Sequence, residues 1–297
     1  MTNTATNKDT PEGLAFAVSA YLMWGFLPLY LQLISHIPAV EVVAHRVIWS
    51  VPVAGLLLVL LKRTDALREA LRSPKTLALA ALTAGLISVN WAIYVYAIAT
   101  DQTADAALGY YINPLFSVLL GAILLRERPT RAQMVAIALA GLAVVILFIT
   151  ASRPPWIPLG LMISWGFYAY FKKSLPIGPN QGFLLEVLIL SIPAVPYVLF
   201  LSATGQGHLT DSVGNFWLLL GCGVVTAVPL IVYANGAKLL RLSTMAILQY
   251  IAPSMIFIIA IFLFGETIDT GRMIAFPLIW MALIIYTTSM IREMRKG

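Results

Sequence analysis

Charged side chains are scarce in this sequence. Only 11% of its 297 residues are Asp, Glu, Lys or Arg, whereas 60% are hydrophobic; ordinary soluble domains carry about a quarter charged residues. So little charge cannot form the polar shell that a soluble protein of this length needs. Apolar runs of about 17–25 residues, long enough to span a bilayer as helices, recur along almost the whole chain. The sequence therefore predicts an all-α polytopic membrane protein.

Residues that support catalysis or metal binding are also few. The single cysteine, Cys222, excludes an internal disulfide and a cysteine-based metal site. Two of the three histidines, His36 and His208, fall in predicted loops. The chain contains no phosphate-binding loop of the Walker type, so ATP-driven action by this chain alone is unsupported. We therefore expect no catalytic residue, no metal and no cofactor.

Hydropathy predicts ten membrane spans, whose ends are marked by proline, glycine or charged residues. The predicted spans are residues 14–34, 41–61, 76–98, 104–125, 131–150, 157–174, 182–203, 214–237, 242–264 and 272–291.

Basic residues are distributed unevenly between the two sides of these spans. Of the 19 Lys and Arg residues, 16 lie in the two tails and in the alternate loops on the side of the tails. Only Arg153 and Arg272 lie on the other side, and Arg46 lies within a span. The positive-inside rule then predicts that both termini are cytoplasmic. The same rule explains the net charge of +6 without a nucleic-acid partner.

The two halves of the chain resemble each other. A shift of 141 residues places "WGF" (24–26) on "WGF" (165–167), and a shift of 139 places residues 110–127 on residues 249–266. Each unit has five spans, an odd number, so the second unit must cross the membrane upside down relative to the first. Inverted repeats are common in transporters, because their exchange opens a central site to either side. We predict two inverted five-helix repeats, at 14–150 and 151–292, with tails at 1–13 and 293–297.

Polar and aromatic residues interrupt the predicted spans at overlapping depths, calculated from the helical rise of 1.5 Å per residue. We predict that they line a central cavity and bind a solute. Two of them are tryptophans too deep for an interfacial belt. The predicted substrate-binding residues are Trp24, His45, Arg46, Asn90, Trp91, Tyr94, Tyr110, Asn113, Trp165, Gln249 and Tyr250.

Arg46 is the most costly of these residues to place in a membrane, so it should face either a cavity or an ionic partner. Both interpretations stay open, with Glu41 or Asp105 as the partner. Histidine has an unperturbed pKa near physiological pH, which makes His45 a candidate for proton coupling or simply a structural hydrogen-bonding residue. Glu186 is a second candidate for proton coupling; the alternative is a solvated residue one turn from the surface.

Two prolines occupy equivalent places in the repeats. Proline removes a backbone donor and disturbs the preceding helical turn, and in membranes such breaks persist where they line a cavity or meet a neighbour. We predict Pro114 and Pro253 to be hinges; packing kinks without solute contact are the alternative. Glu127 and Glu266 close the two equivalent spans, and we expect each to bond to a neighbouring loop.

Four segments carry a family resemblance: "VVAHRVIWS" (42–50), "NWAIYVYA" (90–97), "ALGYYINPL" (107–115) and "ILQYIAPS" (247–254). Together with the paired "WGF" segments they resemble the EamA branch of the drug/metabolite transporter superfamily, and more narrowly its RarD group of chloramphenicol-sensitivity proteins. The resemblance covers residues 14–292 and implies a ten-helix transporter of the bacterial inner membrane with a central cavity. The group usually has glutamate where this chain has Asp105. The resemblance implies no particular substrate.

The favoured function is a secondary transporter, a permease or exporter, that moves a small polar metabolite or drug by alternating access. Arg46 would meet an anionic group, which makes amino-acid-like solutes a candidate class. A flippase for a lipid-linked substrate is the alternative and predicts a lateral opening. A membrane-embedded enzyme is the third and needs a nucleophile or metal cluster. The expected partners are a small-molecule solute and membrane lipid, with no protein partner and no nucleic acid.

Overall fold

The computed structural model describes residues 10–60, 65–124, 129–150, 154–240, 244–245 and 248–294, and these residues form helices and no strand. The prediction of an all-α protein is confirmed. The helices are α1 (Pro11–Gln32), α2 (Ala39–Leu60), α3 (Asp65–Leu71), α4 (Pro74–Ala99), α5 (Thr103–Leu124), α6 (Arg131–Thr150), α7 (Trp156–Lys173), α8 (Pro179–Ala203), α9 (Val213–Leu239), α10 (Ile251–Ile258, continued by a π-helical turn, Ile259–Leu263) and α11 (Thr270–Met294).

Eight of these helices are long and apolar enough to cross a membrane: α1, α2, α4, α5, α6, α8, α9 and α11. Helix α7, with 18 residues, and the shorter apolar segment Ile251–Leu263 occupy the places of the sixth and ninth predicted spans. Helix α3 lies in the predicted loop between spans two and three. The chain is therefore an integral membrane protein with the predicted helical order.

Capping residues define the starts of several helices. Thr10, Ser73 and Ser212 each accept a hydrogen bond from the backbone N–H three residues further on, at the beginning of α1, α4 and α9. Such caps satisfy a donor that a helix cannot satisfy internally. Proline follows the cap in α1 and α4, where its missing N–H costs no hydrogen bond.

The helices of the two units pair in a symmetric pattern. Helix α1, the first of its unit, packs on α9 and α10, the third and fourth helices of the other unit; α7, in turn, packs on α4 and α5. Likewise α2 packs on α9, and α4 packs on α8. Equivalent helices of the two units also pack on each other: α2 on α8, α5 on α10, and α6 on α11. This pattern is unchanged when the units are exchanged, as the predicted repeats require. The exact boundaries at 14, 150 and 292 stay predictions.

The ninth predicted span differs from expectation. The sequence predicts one helix over residues 242–264. In the structure, residues 249–250 form a turn, and α10 begins at Ile251. Pro253 then lies in the first turn of α10, where a missing N–H breaks no bond. Its equivalent, Pro114, lies inside α5, which is helical throughout. The two equivalent segments therefore have different local structures, and the hinge role of either proline stays a prediction.

The helix bundle has two ends, a terminal side and a distal side. The terminal side is the one where α1 begins, and there the backbone N–H of Thr10 bonds to the carbonyl of Leu239 at the end of α9. The distal side is the opposite one, where α5 begins and α10 ends. The cytoplasmic location of the terminal side stays a prediction from the basic residues.

Gly223 lies where α9 crosses α2. A Cβ atom at this position would lie 2.1 Å from the carbonyl oxygen of Trp49, so any larger residue would force the two helices apart. Small residues commonly allow such close approach between membrane helices. By contrast, nothing lies within 4 Å of a Cβ placed at Gly141 of α6.

We expect Gly223→Ala to lower the stability by about 1–3 kcal/mol, the usual cost of overpacking. The measurement is the melting temperature of the purified protein in detergent. Gly141→Ala is the matched control and should be neutral or stabilising, because alanine favours a helix over glycine by about 0.5–1 kcal/mol. Equal melting temperatures for the two variants would contradict the close crossing of α2 and α9.

Candidate functional site

A cavity of about 130 Å³ lies between the two units. An engineered cavity of about 150 Å³ holds benzene, so this one admits a solute of that order of size. Helices α1, α2, α4 and α5 of the first unit and α7, α9 and α10 of the second contribute to its wall. Nine of the eleven predicted binding residues line it: Trp24, Arg46, Asn90, Trp91, Tyr94, Tyr110, Asn113, Trp165 and Gln249.

Arg46 places a cation in the wall of this cavity. Its side chain is only 3% exposed. The Nε atom donates to the Thr226 hydroxyl at 3.0 Å, and the guanidinium carbon lies 4.8 Å from the ring centroid of Trp91. Its Nη1 atom has no hydrogen-bond partner among the described residues. Because a buried charged donor is costly without an acceptor, the site is suited to a solute or water that supplies one.

The ion pairs considered as alternatives for Arg46 are wrong. Asp105 instead binds Arg272 through two contacts, Nε to Oδ1 at 2.5 Å and Nη2 to Oδ2 at 2.6 Å. Glu41 instead lies 2.7 Å from Nδ1 of His208. Both carboxylates are therefore engaged by residues of the second unit, and neither neutralises Arg46.

Two further polar atoms of the cavity residues have no partner in the described part of the chain. They are the hydroxyl of Tyr94 and the Oδ1 atom of Asn113, both buried. Asn90, by contrast, is fully engaged: its amide donates to Ser164 at 2.9 Å and its Oδ1 accepts from Tyr110 at 3.1 Å. Among the described residues, the cavity wall thus contains three polar atoms without a partner: Nη1 of Arg46, the hydroxyl of Tyr94 and Oδ1 of Asn113.

Aromatic rings form much of the remaining wall. The rings of Tyr21 and Trp24 lie 5.7 Å apart, and those of Trp165 and Tyr168 lie 5.6 Å apart, between centroids. Sequence reasoning missed Tyr21, Tyr168 and Thr226. The two tyrosines lie three residues from a predicted tryptophan, on the same helical face, so helical periodicity could have identified them. No sequence signal indicates Thr226.

The structure does not bring His45 or Tyr250 to the cavity. Successive helix residues point about 100° apart, so the orientation that aims Arg46 at the cavity turns His45 away from it. The Nδ1 atom of His45 accepts from Trp49 at 3.2 Å, and its Nε2 atom lies 3.9 Å from Glu41. Tyr250 follows the cavity residue Gln249 and lines a separate groove.

Glu186 is buried, so the alternative of a solvated surface residue is wrong. It is 1% exposed and lies 2.6 Å from the ammonium group of Lys172. The hydroxyl of Tyr168, which lines the cavity, donates to its other oxygen at 3.4 Å. The ion pair therefore lies directly behind the cavity wall. Within the described ranges, no group of three or more His, Cys, Asp or Glu residues could hold a metal ion.

A set of contacts that we name the distal latch joins the two units at the distal side. The carboxylate of Glu266 accepts from the backbone N–H groups of Thr103 and Ala104, at 2.7 and 2.9 Å. An acidic group is favourable there because the N–H groups at the start of α5 are unpaired and the helix dipole is positive. The Asp105–Arg272 pair completes the latch. The predicted partner of Glu266 was a neighbouring loop, but its carboxylate instead binds the start of α5 in the other unit. Glu127 lies outside the described residues.

Comparison with known proteins agrees with this architecture. The chain matches the EamA-like transporter family over residues 11–149. It is 42% identical to Protein RarD of Streptomyces exfoliatus, over 96% of this chain and 91% of that protein. Protein RarD of Escherichia coli K12 is 34% identical, over 97% and 98%. An uncharacterized transporter of Vibrio cholerae is 35% identical, over 96% and 94%. One crystal structure shares the fold, with a TM-score of 0.60 at 20% identity over 94% of this chain and 98% of its own.

The helical bundle, its central cavity and these relatives define the protein as a membrane transporter of the drug/metabolite class. Within that class, the chain belongs to the EamA-like transporter family, in the group of the RarD proteins.

The Lys172–Glu186 pair provides a test of the cavity wall. We expect Lys172→Met to destabilise the protein by about 3–5 kcal/mol, because a buried carboxylate loses its counter-charge. Lys172→Met combined with Glu186→Leu should recover most of that loss, since an apolar pair removes the uncompensated charge. The melting temperature in detergent measures both. A double variant no more stable than the single one would contradict the buried pair.

Proposed function

We propose that the protein is a secondary transporter that carries a small polar metabolite or drug through the central cavity by alternating access. The observation that carries the proposal is the Nη1 atom of Arg46, which has no partner in the described part of the chain and lies in a cavity whose described lining residues include no carboxylate. A solute with an anionic group would satisfy this donor. Transport is favoured over catalysis because the family relatives are named transporters.

The chemistry of the cavity favours an amino-acid-like solute. A carboxylate accepts well from a guanidinium in a charge-assisted contact. The ammonium group of a zwitterion would find the open oxygen of Asn113 and the faces of aromatic rings, which attract cations. The rings of Trp24 and Trp165 offer apolar contact to a side chain. One cation, one acceptor and aromatic walls therefore match the three parts of a small amino acid.

Two features support alternating access. The distal latch joins the units at the distal side through charged groups, Glu266 and the Asp105–Arg272 pair, whereas the bond between Thr10 and Leu239 at the terminal side is uncharged. The equivalent segments α5 and α10 also differ. Helix α5 starts at the distal end and is regular, whereas α10 is preceded by a turn at residues 249–250. In an inverted-repeat transporter, exchange of these two local structures would open the distal side and close the terminal side. We propose that the terminal side faces the cytoplasm of a bacterial cell, with the protein in its inner membrane.

Coupling to protons is part of the proposal. Glu186 is favoured over His45, because Glu186 accepts a hydrogen bond from Tyr168, a cavity residue. His45 contacts Trp49 and Glu41 instead. The flippase alternative needs the cavity to open sideways; the groove beside Tyr250 has no lining residue in common with the cavity, and we do not favour that alternative.

The first test measures solute binding and uptake. Purified protein is titrated with glycine, alanine and serine, and with the methyl ester of each, which lacks the carboxylate. Solutes that bind are then followed as radiolabelled uptake into proteoliposomes. We expect the free acids to bind and their esters not to bind. Arg46→Gln should weaken binding tenfold or more, since hydrogen bonds to charged groups contribute about 1.5–3 kcal/mol.

Arg68→Gln is the matched control for Arg46→Gln, because Arg68 lies exposed on α3. It should bind as the unaltered protein does. Unchanged binding in folded Arg46→Gln would remove Arg46 from the solute site. Equal binding of acid and ester would reject the carboxylate contact.

The second test concerns the distal side. Gln102 and Thr267 come from different units and line a distal crevice together with the latch residues Asp105, Glu266 and Arg272. Neither side chain forms part of the latch. With Cys222→Ala to remove the native thiol, Gln102→Cys/Thr267→Cys joined by a short thiol cross-linker should bind solute but no longer transport it. Cleavage of the cross-link should restore transport. Each single cysteine variant treated with the same reagent is the control. Continued transport by fully cross-linked protein would contradict alternating access through the distal side.

A further inference from the structure

A second opening of about 460 Å³ lies on the outer surface of the bundle, between α5, α10 and α11. We name it the lateral groove. It faces the membrane, since Ile284 of its wall is 67% exposed. The ring of Phe257 on α10 lies 5.6 Å from that of Trp280 on α11 and closes the groove toward the distal side. Toward the terminal side α11 continues to Met294.

Hydroxyl groups are unusually dense in this membrane-facing wall. They belong to Tyr111, Tyr250, Ser254, Thr287 and Thr288. Tyr111 and Ser254 bond to each other at 2.8 Å, and Thr288 donates to the carbonyl of Ile284. The buried hydroxyl of Tyr250 has no partner among the described residues. An unpaired hydroxyl next to hydrocarbon is costly, so the groove is suited to an occupant with hydrogen-bond acceptors.

A cation lies below the hydroxyls on the same face of α11. Arg292 is exposed in the last turn of the helix, four residues beyond Thr288, and residues four apart are neighbours on a helix surface. Beyond Thr287 and Thr288, Leu283, Ile284 and Trp280 are apolar, and the bonded hydroxyls of Tyr111 and Ser254 lie beside Trp280. From the terminal side inward, α11 therefore presents a cation, then two threonine hydroxyls, then apolar side chains.

This order matches the parts of a phospholipid. The twelve residues from Trp280 to Arg292 rise about 18 Å along the helix. One leaflet contributes about 15 Å to the hydrocarbon core of a bilayer, so Arg292 reaches the headgroup level when Trp280 lies near the middle of the membrane. A free solute needs neither this length nor the long apolar wall.

We propose that the lateral groove binds one anionic phospholipid of the leaflet at the terminal side. Its phosphate group lies at Arg292, an ester oxygen accepts from the Tyr250 hydroxyl, and an acyl chain packs along Leu283, Ile284 and Trp280. The site is separate from the solute cavity, with which it shares no lining residue.

The experiment measures lipid binding to the full-length protein in neutral detergent by native mass spectrometry, with phosphatidylglycerol, phosphatidylcholine and glycerol 3-phosphate as probes. We expect phosphatidylglycerol to bind most tightly and glycerol 3-phosphate not to bind, because it lacks acyl chains. Arg292→Gln should weaken phosphatidylglycerol binding about fivefold, the effect of one basic side chain beside an anionic lipid. Tyr250→Phe should weaken binding of both lipids alike, since both carry the ester.

Arg72→Gln is the matched control, because Arg72 is exposed just beyond α3 and lies outside the groove. It should bind both lipids as the unaltered protein does. An equal loss in Arg72→Gln and Arg292→Gln would show diffuse attraction to charge and overturn the proposal. Binding of glycerol 3-phosphate would assign a site for soluble anions instead. Unchanged lipid binding in Arg292→Gln and Tyr250→Phe, each with an unaltered melting temperature in detergent, would also overturn it.

Discussion

The architecture depends on keeping the guanidinium of Arg46 inside a membrane protein where no carboxylate of the described residues pairs with it. A hydroxyl from Thr226 and the ring of Trp91 hold the side chain, yet one of its donors stays free. Such a charge is tolerable only where water or a polar ligand reaches it. The cavity between the units provides space for water or a ligand beside Arg46. The buried charge therefore places a hydrogen-bond donor in the wall of a largely aromatic and apolar cavity.

The two units share one pairing scheme but not one conformation. Helix α5 is regular through Pro114, and the residues before α10 form a turn ahead of Pro253. At the start of α5, Glu266 occupies the unpaired N–H groups of the helix. In the proposed alternating access, the two units would exchange these local structures. The polar contacts at the distal side belong to the arrangement seen here.

Much of this could be predicted from the sequence, because membrane burial leaves strong signals. The apolar runs predicted the positions of the helices. Nine of the eleven predicted binding residues line the cavity, because the depth of a residue along a helix follows from counting residues. The direction in which each side chain points around the helix axis was harder to predict. His45 and Tyr250 are adjacent in sequence to Arg46 and Gln249, but they do not line the cavity. The partners of Asp105, Glu41 and Glu186 are Arg272, His208 and Lys172. Two of these partners lie more than 160 residues away in the chain, and no local pattern identifies such contacts.

The most direct measurement compares the water accessibility of two thiols. Asn113→Cys places one in the cavity wall, while Cys222, which is fully buried, serves as the internal control. In detergent, a small charged thiol reagent should modify residue 113 rapidly and leave Cys222 unmodified, whereas in the unfolded protein it should modify both. Failure to modify residue 113 in the folded protein would mean that the space around Arg46 is dry, and this would contradict the account.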